Sequence, residues 1–111
     1  MYEYKLSNIR VIDGDTIEAT LDLGFKVYIR RTIRLVNVDA WEMRGPNKEK
    51  GKKAKAYLKS LIKNSNFYCL VSHKDKKGKY GRILGTLWLD NNGALRNANE
   101  IMEYNFGKTG G

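Results

Sequence analysis

Cysteine occurs once in this chain, as Cys69, which excludes an internal disulfide and the thiolate sets that structural zinc requires. Histidine also occurs once, and His73, at the end of an expected strand and without metal-ligand company, reads as structural. No apolar run approaches the roughly 18 residues of a spanning helix. No membrane role is expected. Repeats and low-complexity blocks are absent, and only residues 108–111 resemble a loose tail. Residues 1–12 lack the basic start and continuous apolar stretch of a secretion signal, so the default expectation is cytoplasmic. Acidic residues are outnumbered, with 12 Asp and Glu against 21 Lys and Arg, giving a formal charge of +9. A field of that sign concentrates polyanions, and nucleic acid is the leading partner. With 111 residues, 41% of them apolar, the chain suits a single domain, 1–111, expected as a monomer with no obligate protein partner.

The first half alternates in strand fashion. A strand at about residues 4–12 is separated by the turn-forming pair Asp13-Gly14 from a second, in which Ile17, Ala19, Leu21 and Leu23 share one parity. A third strand, about residues 26–39, carries Val27, Ile29, Ile33 and Leu35 on one parity and then Val36 and Val38 on the other. Such a switch implies a bulge or sharp bend, which would bring Arg34 and Asp39 to the same polar side. At about residues 47–64 the spacing becomes helical, with Ala54, Leu58, Leu61 and Ile62 on one stripe, Pro46 at the start and Asn64 at the end. The lysines elsewhere on that helix read as a solvated face. Two strands follow, Phe67–His73 and about 83–89, with Cys69 alternating with Phe67 and Val71 and so reading as core. After an Asn92-Gly93 turn, a short helix at about 98–104 opens with the capping box Asn97 and Glu100 and ends at Gly107. The order is βββαββα. It predicts an α+β, mainly β fold: a five-stranded barrel of the oligonucleotide-binding (OB) type, with a helix after strand 3 and a short C-terminal helix.

Three carboxylates stand near element ends, Asp15, Asp39 and Glu42. Asp15 shares the parity of Ile17 and Ala19, so it leans inward and needs a cationic partner, since a buried unpaired charge costs several kcal/mol. Asp39 can supply a second hard oxygen to a divalent cation, with a main-chain carbonyl and waters completing the shell. Arg34 and Arg82 carry the planar paired donors that match two phosphoryl oxygens. Taken singly, Asp13 to Thr16 is a plain turn, Asp39 and Glu42 are solvated loop acids, and Arg30 and Arg31 are the wet face of a strand. Tyr80 can stack a base or merely pack its loop.

Taken in order, the strings VIDGDT (residues 11–16), TIRLVNVDAWE (32–42) and KYGR (79–82) resemble the staphylococcal nuclease family over about residues 6–107. The resemblance implies an OB barrel, a calcium ion, single-stranded DNA and RNA as preferred substrates, and cleavage to 3′-phosphates. It matches Asp15 and Asp39 to calcium carboxylates, Asp13 to a nearby acidic position, and Ala40 to the residue whose carbonyl binds the ion. Glu42 matches the general base, Arg34 and Arg82 the phosphate-binding arginines, and Lys79 and Tyr80 residues that contact the terminal phosphate. Ala40 replaces the usual threonine, which a carbonyl ligand tolerates. Trp41 replaces a proline, and the loop from Met43 is shorter, so Glu42 is held less firmly. The chain printed here ends before the family's last helix and its pocket aromatics, from which lower affinity and stability are expected. The expected function is a calcium-dependent nuclease acting on DNA and RNA. The alternative is a noncatalytic OB-fold nucleic-acid binding module, and a basic protein-interaction domain is weaker still.

Overall fold

Alternation of small apolar and polar residues in β2 (Thr16–Asp22) buries Ile17, Ala19 and Leu21 completely and leaves the intervening residues partly exposed. The same rule turns Ile33 and Leu35 of β3 (Tyr28–Leu35) inward. The computed structural model describes residues 2–39, 45–73 and 82–107, the side chain of Phe67 aside. β1 (Glu3–Asp13) joins β2 and β4 (Phe67–His73), and β5 (Ile83–Asn91) pairs with β4, all antiparallel. A parallel pairing of β3 with β5, Ile33 opposite Ile83 through Leu35 opposite Gly85, closes the circle. The result is a closed five-stranded barrel of the OB type, as its strand order predicts.

Helices cover the barrel. A 3-10 turn, Gly45–Asn47, leads into α1 (Lys48–Lys63), which buries Gly51, Ala54, Leu58 and Ile62 on one stripe. In α2 (Ala98–Phe106) the Oδ1 of Asn97 accepts the Glu100 N–H at 3.1 Å, fixing the start where the capping signal puts it. Phe106 meets Tyr57 of α1 with ring centroids 5.2 Å apart.

Three expectations need correction. A further strand, β6 (Ala94–Asn97), extends the edge of β5 through Asn92 and Gly93, whose φ angles of 54° and 89° suit a primed hairpin turn. It is mostly exposed and lacks the alternation that reveals half-buried strands. The third strand ends at Leu35. Val36 N–H donates to Gly85 O at 2.9 Å and Asn37 takes a left-handed φ of 62°, so of the expected bulge or sharp bend the structure has the bend, as a turn out of the sheet. The expected tight hairpin between the first two strands is present, with Asp13 opposite Thr16 across Gly14 and Asp15 and a register shift after Val11. Cys69, finally, is not core: Leu70 is the fully buried residue of β4, and Cys69 stands partly exposed on the outer face. The string YCLV is apolar on both parities, so alternation alone cannot orient it.

Candidate active site

The register that builds the barrel also assembles the polar cluster. Thr16 lies directly opposite Arg34, so Asp15, one residue earlier in the β1–β2 turn, meets the arginine side chain. Arg34 Nη2 is 3.4 Å from Asp15 Oδ2, with side chains 27% and 14% exposed. Thr16 Oγ1 donates to Asp15 Oδ1 at 2.9 Å, and Leu35 N–H donates to the Asp15 carbonyl at 2.8 Å. The acid expected to lean inward stands in the turn and pairs instead with Arg34 on the outer face of β3, its cationic partner within the protein. Arg34 is held in turn by its Nη1 donating to Leu35 O at 2.7 Å.

Barrel closure supplies the second arginine. Arg34 is paired with Leu84 across the parallel β3–β5 seam, and Arg82 lies just before β5 begins. Arg34, Asp39, Arg82 and Glu103 line one cleft of about 480 Å³, with Leu35 and Leu84 among its apolar residues. Two arginines lining one open cleft carry the donor chemistry that a phosphodiester would take, because each guanidinium presents parallel donors to two oxygens.

Glu103 went unnoticed in the sequence. Its Oε2 accepts the Asp39 N–H at 3.0 Å, tying the segment after β3 to α2. One signal was present: Glu103 stands in the last turn of α2, where the helix dipole disfavours negative charge. Asn99 was missed too. Only 5% exposed, it accepts Leu87 N–H at 2.9 Å and donates to Val36 O and Gly85 O at 2.8 and 2.9 Å, locking the exit of β3 against β5 and α2.

Asp15, Arg34, Asp39 and Arg82 thus stand among the described residues, and Arg34, Asp39 and Arg82 share the cleft. Ala40, Trp41, Glu42, Lys79 and Tyr80 lie outside the described residues. Among the described residues no group of three or more His, Cys, Asp or Glu converges as a metal cage. Asp15 and Asp39 nevertheless offer hard carboxylate oxygens, the donor chemistry calcium and magnesium take. Elsewhere, the Cys69 thiol is held above its ordinary pKa by burial and by the nearby Glu3 charge, which keeps it protonated. His73 Nε2 is 2.9 Å from Thr86 Oγ1, in keeping with a structural role.

A closed OB barrel carrying paired acids and arginines at one cleft defines the class, and the chain belongs to the staphylococcal nuclease homologue family, whose model matches residues 32–104. Over 82 residues it is 38% identical to Protein ParB of Escherichia coli, covering 74% of this chain and 40% of that one. Over 84 residues it is 37% identical to a thermonuclease of Staphylococcus hyicus, covering 73% and 46%. An uncharacterized protein of Methanocaldococcus jannaschii, MJ1439, is 27% identical over 121 residues, covering 90% and 56%. The chain spans about 40% to 56% of the length of these relatives.

Proposed function

We propose that this chain is a calcium-dependent nuclease that hydrolyses phosphodiester bonds of single-stranded DNA and RNA and leaves 3′-phosphates. The observation that carries this reading is the convergence of Arg34, Asp39 and Arg82 on one cleft beside Asp15, in a family that includes a thermonuclease. Asp15, Asp39 and the Ala40 carbonyl would hold the calcium ion, which supplies positive charge at the phosphate and a polarised water. The scissile phosphate lies between Arg34 and Arg82, which stabilise charge on its equatorial oxygens as the attacking water adds. Glu42 takes the proton of that water. The bond from phosphorus to the 5′ oxygen breaks and the leaving oxygen is protonated from solvent. Lys79 and Tyr80 hold the neighbouring terminal phosphate.

The deciding experiment is incubation of the purified protein with single-stranded DNA in calcium, beside a chelator control and Glu42→Gln. Calcium-dependent cleavage lost in the variant supports the enzyme. Binding without cleavage by the unaltered chain would leave the noncatalytic module as the better account.

Asp15→Ala and Asp39→Ala should each weaken calcium binding at least tenfold, because each removes a charged ligand oxygen from a site with few others. Calorimetric calcium titration is the measurement, and unchanged curves in both variants would remove these residues from the ion site. Affinity for single strands should also fall steeply as salt rises, since a chain of charge +9 displaces counterions from each phosphate it contacts. For about four such contacts the slope of log K on log salt is about −3, at roughly 0.7 per phosphate. A flat response between low and moderate salt would contradict the electrostatic reading.

A further inference from the structure

Eight large apolar side chains are exposed among the described residues, and four of them, Leu23, Phe25, Val27 and Tyr28, crowd the β2–β3 connection. Scattered exposed apolar residues are ordinary, but a cluster marks a contact surface. Phe25 is 101% exposed and Tyr28 58%. Their backbone is not loose. Leu23 N–H donates to Val27 O and Val27 N–H to Gly24 O, each at 2.9 Å, and Gly24 N–H donates to Asp22 Oδ1 at 2.8 Å. Gly24, Phe25 and Lys26 have successive left-handed φ angles of 87°, 54° and 62°. L side chains adopt that conformation only at a cost, and here no burial of Phe25 offsets it.

The tip is joined to the cleft by one face of the sheet. Because Ile33 and Leu35 point inward, Tyr28, Arg30, Thr32 and Arg34 share the outer face of β3. Arg30 is held across that face by Glu18 at 3.0 Å, Thr20 Oγ1 at 3.1 Å and Asn8 O at 2.8 Å. Glu18 is thereby neutralised and Asp22 is engaged in the turn, so neither is an unopposed charge against a polyanion. Six residues of strand separate Tyr28 from Arg34, roughly 20 Å at about 3.3 Å per residue. At the roughly 3.4 Å rise of a stacked strand, that is about six nucleotides.

We infer that single-stranded nucleic acid leaving the Arg34–Arg82 cleft runs along the outer face of β3 and stacks bases on Tyr28 and Phe25 at the hairpin tip. The inference rests on the nuclease reading for what occupies the cleft. Aromatic platforms suit this ligand because every base has a π-face, so stacking extends a footprint without imposing a sequence. A lipid surface would also accept Leu23 and Val27. Continuity with the phosphate cleft and the presence of two aromatic rings favour the strand.

The test needs no cleavage. Fluorescence anisotropy of labelled single strands of 4, 8 and 12 nucleotides is measured in chelator with unaltered protein, Phe25→Ala, Tyr28→Ala and the double variant. The unaltered chain should bind 8 nucleotides at least tenfold more tightly than 4. The double variant should lose most of that gain while holding the 4-nucleotide strand alike, because that strand cannot reach the tip. Retention of the full length-dependent gain by the double variant overturns the track, as does unaltered single-strand binding with loss of binding to phosphatidylglycerol vesicles. Neither result bears on whether the chain cleaves, so the track and the enzymatic reading can fail separately.

Discussion

Single-turnover cleavage at saturating calcium should slow by about 10²- to 10³-fold in Arg82→Ala, the range seen when one preorganised charge stabiliser is removed. Arg34→Ala should lose at least as much. The Arg34 change disturbs more than a phosphate contact. Both arginines line the cleft, and Arg34 faces Asp15 and donates to Leu35 O. Removing Arg34 therefore leaves a largely buried carboxylate opposite an empty space. Part of its effect would then come from a disturbed Asp15 and not from a lost phosphate contact. Arg34→Lys separates the parts, since it restores a charge for Asp15 without the paired planar donors. Rates near those of Arg34→Ala would assign the effect to the phosphate clamp, and rates near those of the unaltered chain would assign it to the ion pair. Full-speed cleavage by both Arg34→Ala and Arg82→Ala would remove the clamp from the mechanism.

The Arg34–Asp15 pair has a consequence for calcium. Arg34 and an ion at Asp15 are both cations seeking the same carboxylate, so ion binding should loosen the arginine's hold and release its fork toward phosphate. On the proposed reading, one acid would be shared between two positive partners, Arg34 and the ion. Phosphate and calcium should consequently bind with positive coupling, each making room for the other.

Much of this was legible in the residues because it depends on local rules. Alternation in β2 and the Asn97 cap express period and capping chemistry that any barrel context would leave intact. The need of Asp15 for a cationic partner was legible, but not that the partner would be Arg34 on the outer face, because that depends on the turn and on the register of β2 on β3. Arg82 reaches the cleft through a parallel closure between segments far apart in sequence. The residues missed, Glu103 and Asn99, act across elements: one carboxylate caps a backbone N–H after β3, and one amide satisfies two backbone groups of β5 and one in the turn after β3. No spacing along the chain announces such contacts. Cys69 and β6 failed for a simpler reason, since a strand apolar on both faces and one exposed on both carry no period to read.

Asn99→Ala should be the most destabilising polar change in the described barrel. The side chain is nearly buried and uses both amide donors, on Val36 O and Gly85 O, and its oxygen as acceptor from Leu87 N–H. Alanine leaves those groups to find water in a space that α2 covers, and each orphaned buried group costs about 1–3 kcal/mol. The sum, roughly 3–9 kcal/mol, is a large share of the 5–15 kcal/mol by which such domains are stable. At about 4 °C per kcal/mol the melting temperature should fall by roughly 12–36 °C. Asn99→Asp should be no milder, because its carboxylate can still accept from Leu87 but faces two carbonyl oxygens with no proton to give them. The effect should reach function as well. Val36 O is one of the three partners, and Val36 lies between Arg34 and Asp39 on the segment that forms the cleft. Well below its melting temperature, the variant should therefore cleave more slowly than its folded fraction accounts for. Thermal denaturation by circular dichroism, paired with single-turnover cleavage at low temperature, reads both consequences. A loss of less than about 3 °C would mean that water replaces the amide at little cost, at roughly 4 °C per kcal/mol. Asn99 would then not be what holds the cleft in shape.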